Sequence, residues 1–258
     1  MTYAYSTAHA LIAAGLRAKR VLQIGLLGLG AAILMGCAHT PAPQWQGASV
    51  QAATRGVQAY LVGMQPVARL EFERARSALS STANLNAAAN LELLQCAVRM
   101  ASLEPVLCAP SINPADMSQA QLVYLNYLNG QLPSAGQRAL LPKAQQPVAQ
   151  AIAANGNVAS VIGELVQAAQ QPDTQLLSAL LACAIAQQHQ RASLDVATQA
   201  VDMASAQGWR KPLLAWLKVQ ANLADEAGDQ RLAQHSRRRI ELLISQQGNK
   251  PISRQPLP

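Results

Sequence analysis

The sequence predicts an all-α protein built of stacked antiparallel helical hairpins. Three observations carry this. Half of the 258 residues are apolar but only 3% are aromatic, with a single Phe. Ala, Leu and Gln dominate while Thr and Ile are sparse, and the dominant residues lose little rotamer freedom in a helix. Apolar residues recur at helical spacing between Asn, Pro and Gly punctuation, and the turns of the last third are short enough to make consecutive helices antiparallel neighbours.

The first helix is expected over 49–63, with Val50, Val57, Tyr60 and Leu61 on its apolar side. Pro66 suits the first turn of a second helix, 66–81, whose stripe reads Val67, Leu70, Phe72 and Leu79. Asn84 or Asn86 can cap a third helix, 87–103, which Glu104-Pro105 ends. Residues 108–113 read as loop, and Asn113-Pro114 as the cap and first position of a helix running to Leu128. Gly130, Pro133, Gly136, Pro142 and Pro147 break the next stretch, leaving one short helix near 134–141. Helices at 145–154 and 157–170 follow, separated by Asn155-Gly156. Four more are expected at 174–188, 191–207, 210–227 and 229–246. Gly248, Pro251, Pro256 and Pro258 mark 248–258 as a disordered tail.

The N-terminus has a different character. Arg17, Lys19 and Arg20 precede an apolar run from Val21 that ends in Leu34-Met35-Gly36-Cys37. The run is about fifteen residues, short of the roughly 20 needed to span a bilayer, and holds Gly25, Gly28 and Gly30. A basic stretch, a short apolar stretch and a small residue before cysteine form a cleaved export signal. These residues resemble the bacterial lipoprotein signal, with Leu34, Gly36 and Cys37 at its defining positions. The resemblance implies that residues 1–36 are removed and that Cys37 carries a covalent lipid as the first mature residue. Residues 37–47, with Pro41 and Pro43, then form a lipidated tether, and 48–247 the helical-hairpin domain. The resembled family holds a lipoprotein at the inner membrane with Asp after the lipidated Cys. Ala38 stands there instead, which implies the outer membrane, on its periplasmic face.

Removing the signal leaves 222 residues, enough for one sizeable helical domain or two small ones. It also lowers the formal charge from +7 to +4, a mild balance that gives no reason to expect nucleic acid. Three cysteines remain besides Cys37. An oxidising compartment permits a disulfide; Cys96 and Cys108 are the favoured pair, since a helix end and Pro105 between them let the chain turn back. Cys183, inside an Ala- and Leu-rich run, reads as a buried small residue.

Within 174–246, Trp216, Val219 and Leu223 precede a Gly228-Asp229 turn, and Ala233 follows it. This unit resembles the tetratricopeptide helix-turn-helix, which implies an α-solenoid in the C-terminal part. A weaker unit precedes it, with Leu177, Leu180 and Ala184 on one helix and Ala197 and Ala200 on the next. The turns lie 40 residues apart, against the family's 34-residue period.

Little in the chain speaks for catalysis. No His-x-x-x-His, Cys-x-x-Cys, Gly-x-Ser-x-Gly or phosphate-binding Gly loop occurs in the mature region, so neither a metal nor a cofactor is expected. The expected role is therefore non-catalytic, binding or assembling another envelope protein. Its partner surface is expected where Trp209, Arg210 and Lys211 approach Arg237 and Arg238, because Trp and Arg are favoured interface anchors. Two alternatives stand beside it. A peptidoglycan-active enzyme would use Glu164 as its acid, if burial among Val161, Ile162 and Leu165 raised its pKa. A small-ligand carrier would enclose a dry pocket between helices.

Overall fold

A computed structural model describes residues 43–105, 107–169 and 172–248. The signal-type segment, Cys37 and residues 249–258 of the expected tail lie outside the described residues. Between Gln44 and Gly248 the described residues belong to one compact unit. Among the described residues it is all-helical: ten α-helices, three 3-10 turns and no strand.

Helix α1 (Gln44–Leu61) begins inside the stretch expected to be tether, because Trp45 packs half-buried against the core. Gly63, at φ 89°, turns the chain into α2 (Gln65–Ser80). The two helices meet where Gly56 faces Phe72: a Cβ on Gly56 would lie 2.9 Å from the ring. The buried face of α2 is Ala68, Glu71, Phe72, Ala75 and Leu79. Val50, Val67 and Leu70, expected in the apolar stripes, are exposed. Small residues at the contact let the helices approach closely, and the bulkier side chains one position away are turned outward. Glu71 is buried between them, accepting from Arg55 Nε at 2.9 Å and from Arg74.

Helix α3 (Leu85–Ala101) starts at Asn84, whose side chain accepts from the Ala87 N–H. A disulfide joins Cys96 on α3 to Cys108, their Cα atoms 5.7 Å apart. The Asn129 side chain secures the same loop, accepting from the Cys108 N–H and donating to its carbonyl, both at 2.9 Å. Glu92 accepts from the Ser111 N–H and hydroxyl. The single helix expected from Pro114 is instead a 3-10 turn, Pro114–Asp116, followed by α4 (Gln119–Leu128). Met117 is extended, and Ser118 and Gln121 form a reciprocal capping box that opens a fresh helix.

The proline-broken region contributes 3-10 turns at Arg138–Leu140 and Lys143–Gln145, then α5 (Gln146–Ala153) and α6 (Val158–Gln167). Helix α7 (Pro172–Gln188) is the central helix of this unit. Every residue from Ala179 to Ala186 is buried, as befits a helix apolar on all sides. It packs on α3, α5, α6 and the next helix, α8 (Leu194–Ala206). Gln145 is fully buried and donates to the Ser178 carbonyl at 2.8 Å, satisfying a polar group that the core would otherwise penalise.

Helices α9 (Arg210–Glu226) and α10 (Gln230–Gly248) complete the chain. From α7 to α10 each helix packs on the next. Gln220 bridges the last three, donating to Thr198 Oγ1 at 3.0 Å and accepting from the Ser236 hydroxyl at 2.8 Å. Packing also joins elements remote in sequence. Helix α9 touches α1, and the Trp216 indole N–H donates to the Ala101 carbonyl at the end of α3, 3.1 Å away. The N-terminal helices thus close over α7 and α9.

Candidate functional site

The closure of α9 on the N-terminal helices creates a charged junction. Glu104, just past α3, accepts from Arg99 Nε at 2.9 Å and from Lys211 Nζ at the start of α9. The Lys211 ammonium also lies 3.9 Å from the centroid of the Tyr60 ring, a favourable cation–π placement. Burial pushes the Glu104 carboxyl up, but the hydrogen bonds from Lys211, Arg99 and Tyr60 outweigh it and hold the carboxyl below its ordinary range. Burial, reinforced by Glu104, keeps the Tyr60 hydroxyl protonated far above neutral pH.

Beside this junction lies a cleft of about 570 Å³, open to solvent. Ala68, Phe72 and Val98 supply apolar lining. Arg69 and Glu73 line it from α2, Gln95 and Arg99 from α3, and Tyr60 from α1. The Tyr60 hydroxyl faces Glu104, but the Gln95 side chain carries a buried amide nitrogen without a hydrogen-bond partner. Such groups are uncommon in folded proteins and mark places where a water or ligand completes the bonding.

The surface expected around the tryptophans is not formed. Trp209 and Trp216 are both buried in the core, so no indole wall is open to a partner. Arg210 donates to the Leu243 carbonyl, Lys211 pairs with Glu104, and Arg237 pairs with Asp225. Arg238 is exposed on α10. Three consecutive arginines span about 200° of a helix, and here Arg239 turns to the Ser205 hydroxyl of α8 instead. Intramolecular partners thus engage Arg210, Lys211 and Arg237, three of the four cations expected at the groove.

Glu164 is exposed on α6 and does not line the cleft, so the burial expected to make it a proton donor is lacking. The dry, enclosed pocket expected of a carrier differs from this cleft, which is open and edged by charge. Cys183 is free and fully buried, and burial pushes its thiol up, away from the reactive thiolate. Among the described residues no group of His, Cys, Asp and Glu is placed to hold a metal ion, and no helix is long and apolar enough to cross a membrane.

Comparison of the chain with protein-family models, with curated proteins and with solved structures gives no match. Tyr60 and Glu104 appeared in the sequence only as a core residue and a helix terminator. Nothing local to either signals the junction, because Lys211 lies 107 residues from Glu104.

Proposed function

We propose that this chain is a lipid-anchored protein of the bacterial envelope, acting without chemistry of its own as a binding or assembly module for another envelope component. The observation that carries the reading is the basic and apolar run ending in Leu34-Met35-Gly36-Cys37. The Cys96–Cys108 disulfide supports it, because such bonds persist in oxidising compartments. In this reading Cys37 bears the lipid and 38–43 is the connection to α1. In the same reading Ala38, standing where the resembled family carries an inner-membrane Asp, favours the outer membrane.

We further read the C-terminal hairpins as tetratricopeptide-like. The support is local: Gly228 takes φ 78° in the α9–α10 turn, and Ala233 is fully buried on the second helix. Membrane fractionation tests the anchor. Wild-type protein is expected to sediment with membranes and Cys37→Ser to lose that retention. Mature wild-type protein found free in the soluble fraction would contradict the reading. Crosslinking in intact cells then tests the module: a discrete adduct with an envelope protein is expected, and monomer alone would count against it.

A further inference from the structure

We propose that the cleft between α1, α2 and α3 is a binding site for a small amphipathic carboxylate. Its head would meet Gln95, Arg69 and Arg99, and its apolar body would lie against Ala68, Phe72 and Val98. This inference stands apart from the anchor, since it uses only the helical domain.

Size is the first argument. About 570 Å³ falls inside the usual range of small-molecule sites. Unmet hydrogen bonding is the second. The Gln95 amide nitrogen is buried without a hydrogen-bond partner. It can donate, so the missing group is an acceptor.

Charge decides the kind of acceptor. The acidic residues lining the cleft are already engaged: Glu104 by Arg99 and Lys211, Glu73 by Arg76. Arg69, in contrast, makes no ion pair among the described residues. Arg99 offers Nε to Glu104, one of the five N–H donors of a guanidinium. An anion therefore gains donors here without displacing an existing pair. A single negative charge fits better than two, because one unpaired cation stands near Glu104 and Glu73, which repel a dianion. A carboxylate matches both the flat guanidinium fork and an amide donor. The apolar lining selects a ligand with a hydrophobic body over acetate or a sugar acid.

Two sources share this chemistry: a free short-chain fatty acid and the C-terminal residue of an apolar peptide. Hexanoate and N-acetyl-leucine represent them, with hexanamide and N-acetyl-leucinamide as uncharged controls. The test is isothermal titration of each into the full chain in lipid nanodiscs, with empty nanodiscs subtracted. At least one carboxylate is expected to saturate, with its amide at least about tenfold weaker, the loss typical of one charge-assisted bond. The tighter carboxylate identifies the source. Arg69→Gln is expected to weaken the carboxylate about tenfold while leaving the melting temperature unchanged, since Arg69 is exposed and unpaired; Gln95→Leu is expected to weaken it as well. No saturable heat from either carboxylate overturns the proposal. So does an amide that binds as tightly as its acid, or an Arg69→Gln protein of unchanged affinity.

Discussion

Changing Glu104 to Gln should loosen the joint between the two halves of the domain. The carboxylate holds Arg99 at the end of α3 and Lys211 at the start of α9. The side chains of Glu104 and Lys211 are only 27% and 23% exposed. Hydrogen bonds to charged groups contribute ~1.5–3 kcal/mol each. The glutamine oxygen still accepts one bond, and the cations can recover some water, so the net loss is about 2 kcal/mol. For a domain of this size that lowers the melting temperature by roughly 4–8 °C. The pH dependence follows from the depressed Glu104 pKa. A carboxyl held below its unfolded value of about 4.3 contributes stability at higher pH and loses it as pH falls through the folded pKa. The gap between wild type and Glu104→Gln should therefore be full at pH 7 and narrow below about pH 4. Thermal melts followed by circular dichroism from pH 7 to pH 3 measure it. The exposed Glu73–Arg76 pair is the control; Glu73→Gln should change stability by less than about 1 kcal/mol. A Glu104→Gln protein that melts with wild type at pH 7, or a gap unchanged at pH 3, would mean that the Glu104 carboxylate does not hold this joint.

Further outcomes follow from the packing. Trp216→Phe orphans the buried Ala101 carbonyl and should cost about 1–3 kcal/mol, read as a lower denaturant midpoint; an unchanged midpoint would mean the indole bond contributes nothing. Gly56→Val drives side-chain atoms into the Phe72 ring and should cost about 1–3 kcal/mol as overpacking, whereas a neutral result would show that α1 and α2 can separate freely. Cys183 should resist alkylation in the folded protein and react on unfolding; rapid labelling of native protein would contradict its burial.

Helices were legible where the chain carries its own start and stop chemistry. Asn84 caps α3 through its side chain, and Gly208 and Gly228 take positive φ in the last two turns; Ser193, by contrast, starts α8 three residues later than the helix expected from 191. The faces were less legible. In α2 the expected stripe was Val67, Leu70, Phe72 and Leu79; Phe72 and Leu79 are buried, but Ala68 and Ala75 stand in the buried face where Val67 and Leu70 were expected. In an Ala-rich chain close approach also selects small residues, so bulk alone does not define the buried side. The split at Met117 hid for a similar reason: the Ser118–Gln121 capping box is as clear a signal as Asn113-Pro114, and two starts so close compete.

The site was the least legible part. Trp209 beside Arg210 and Lys211 looks like a surface cluster from sequence alone. It is core instead, Trp209 being buried, and α9 packs across α1, a contact between segments about 150 residues apart that no local pattern encodes. The same crossing brings Lys211 to Glu104 and Tyr60. By contrast, Cys96 and Cys108 are close in sequence, with a helix end between them, and the geometry that joins them is local.

In the proposed function Cys37 begins the mature chain and carries its lipid. Mass spectrometry of the N-terminal peptide from membrane-extracted protein reads this out. A peptide that starts at Cys37, bears acyl chains, and is absent from the Cys37→Ser protein is expected. An unmodified Cys37 peptide, or one that still contains residues before it, would overturn the lipid-anchored reading.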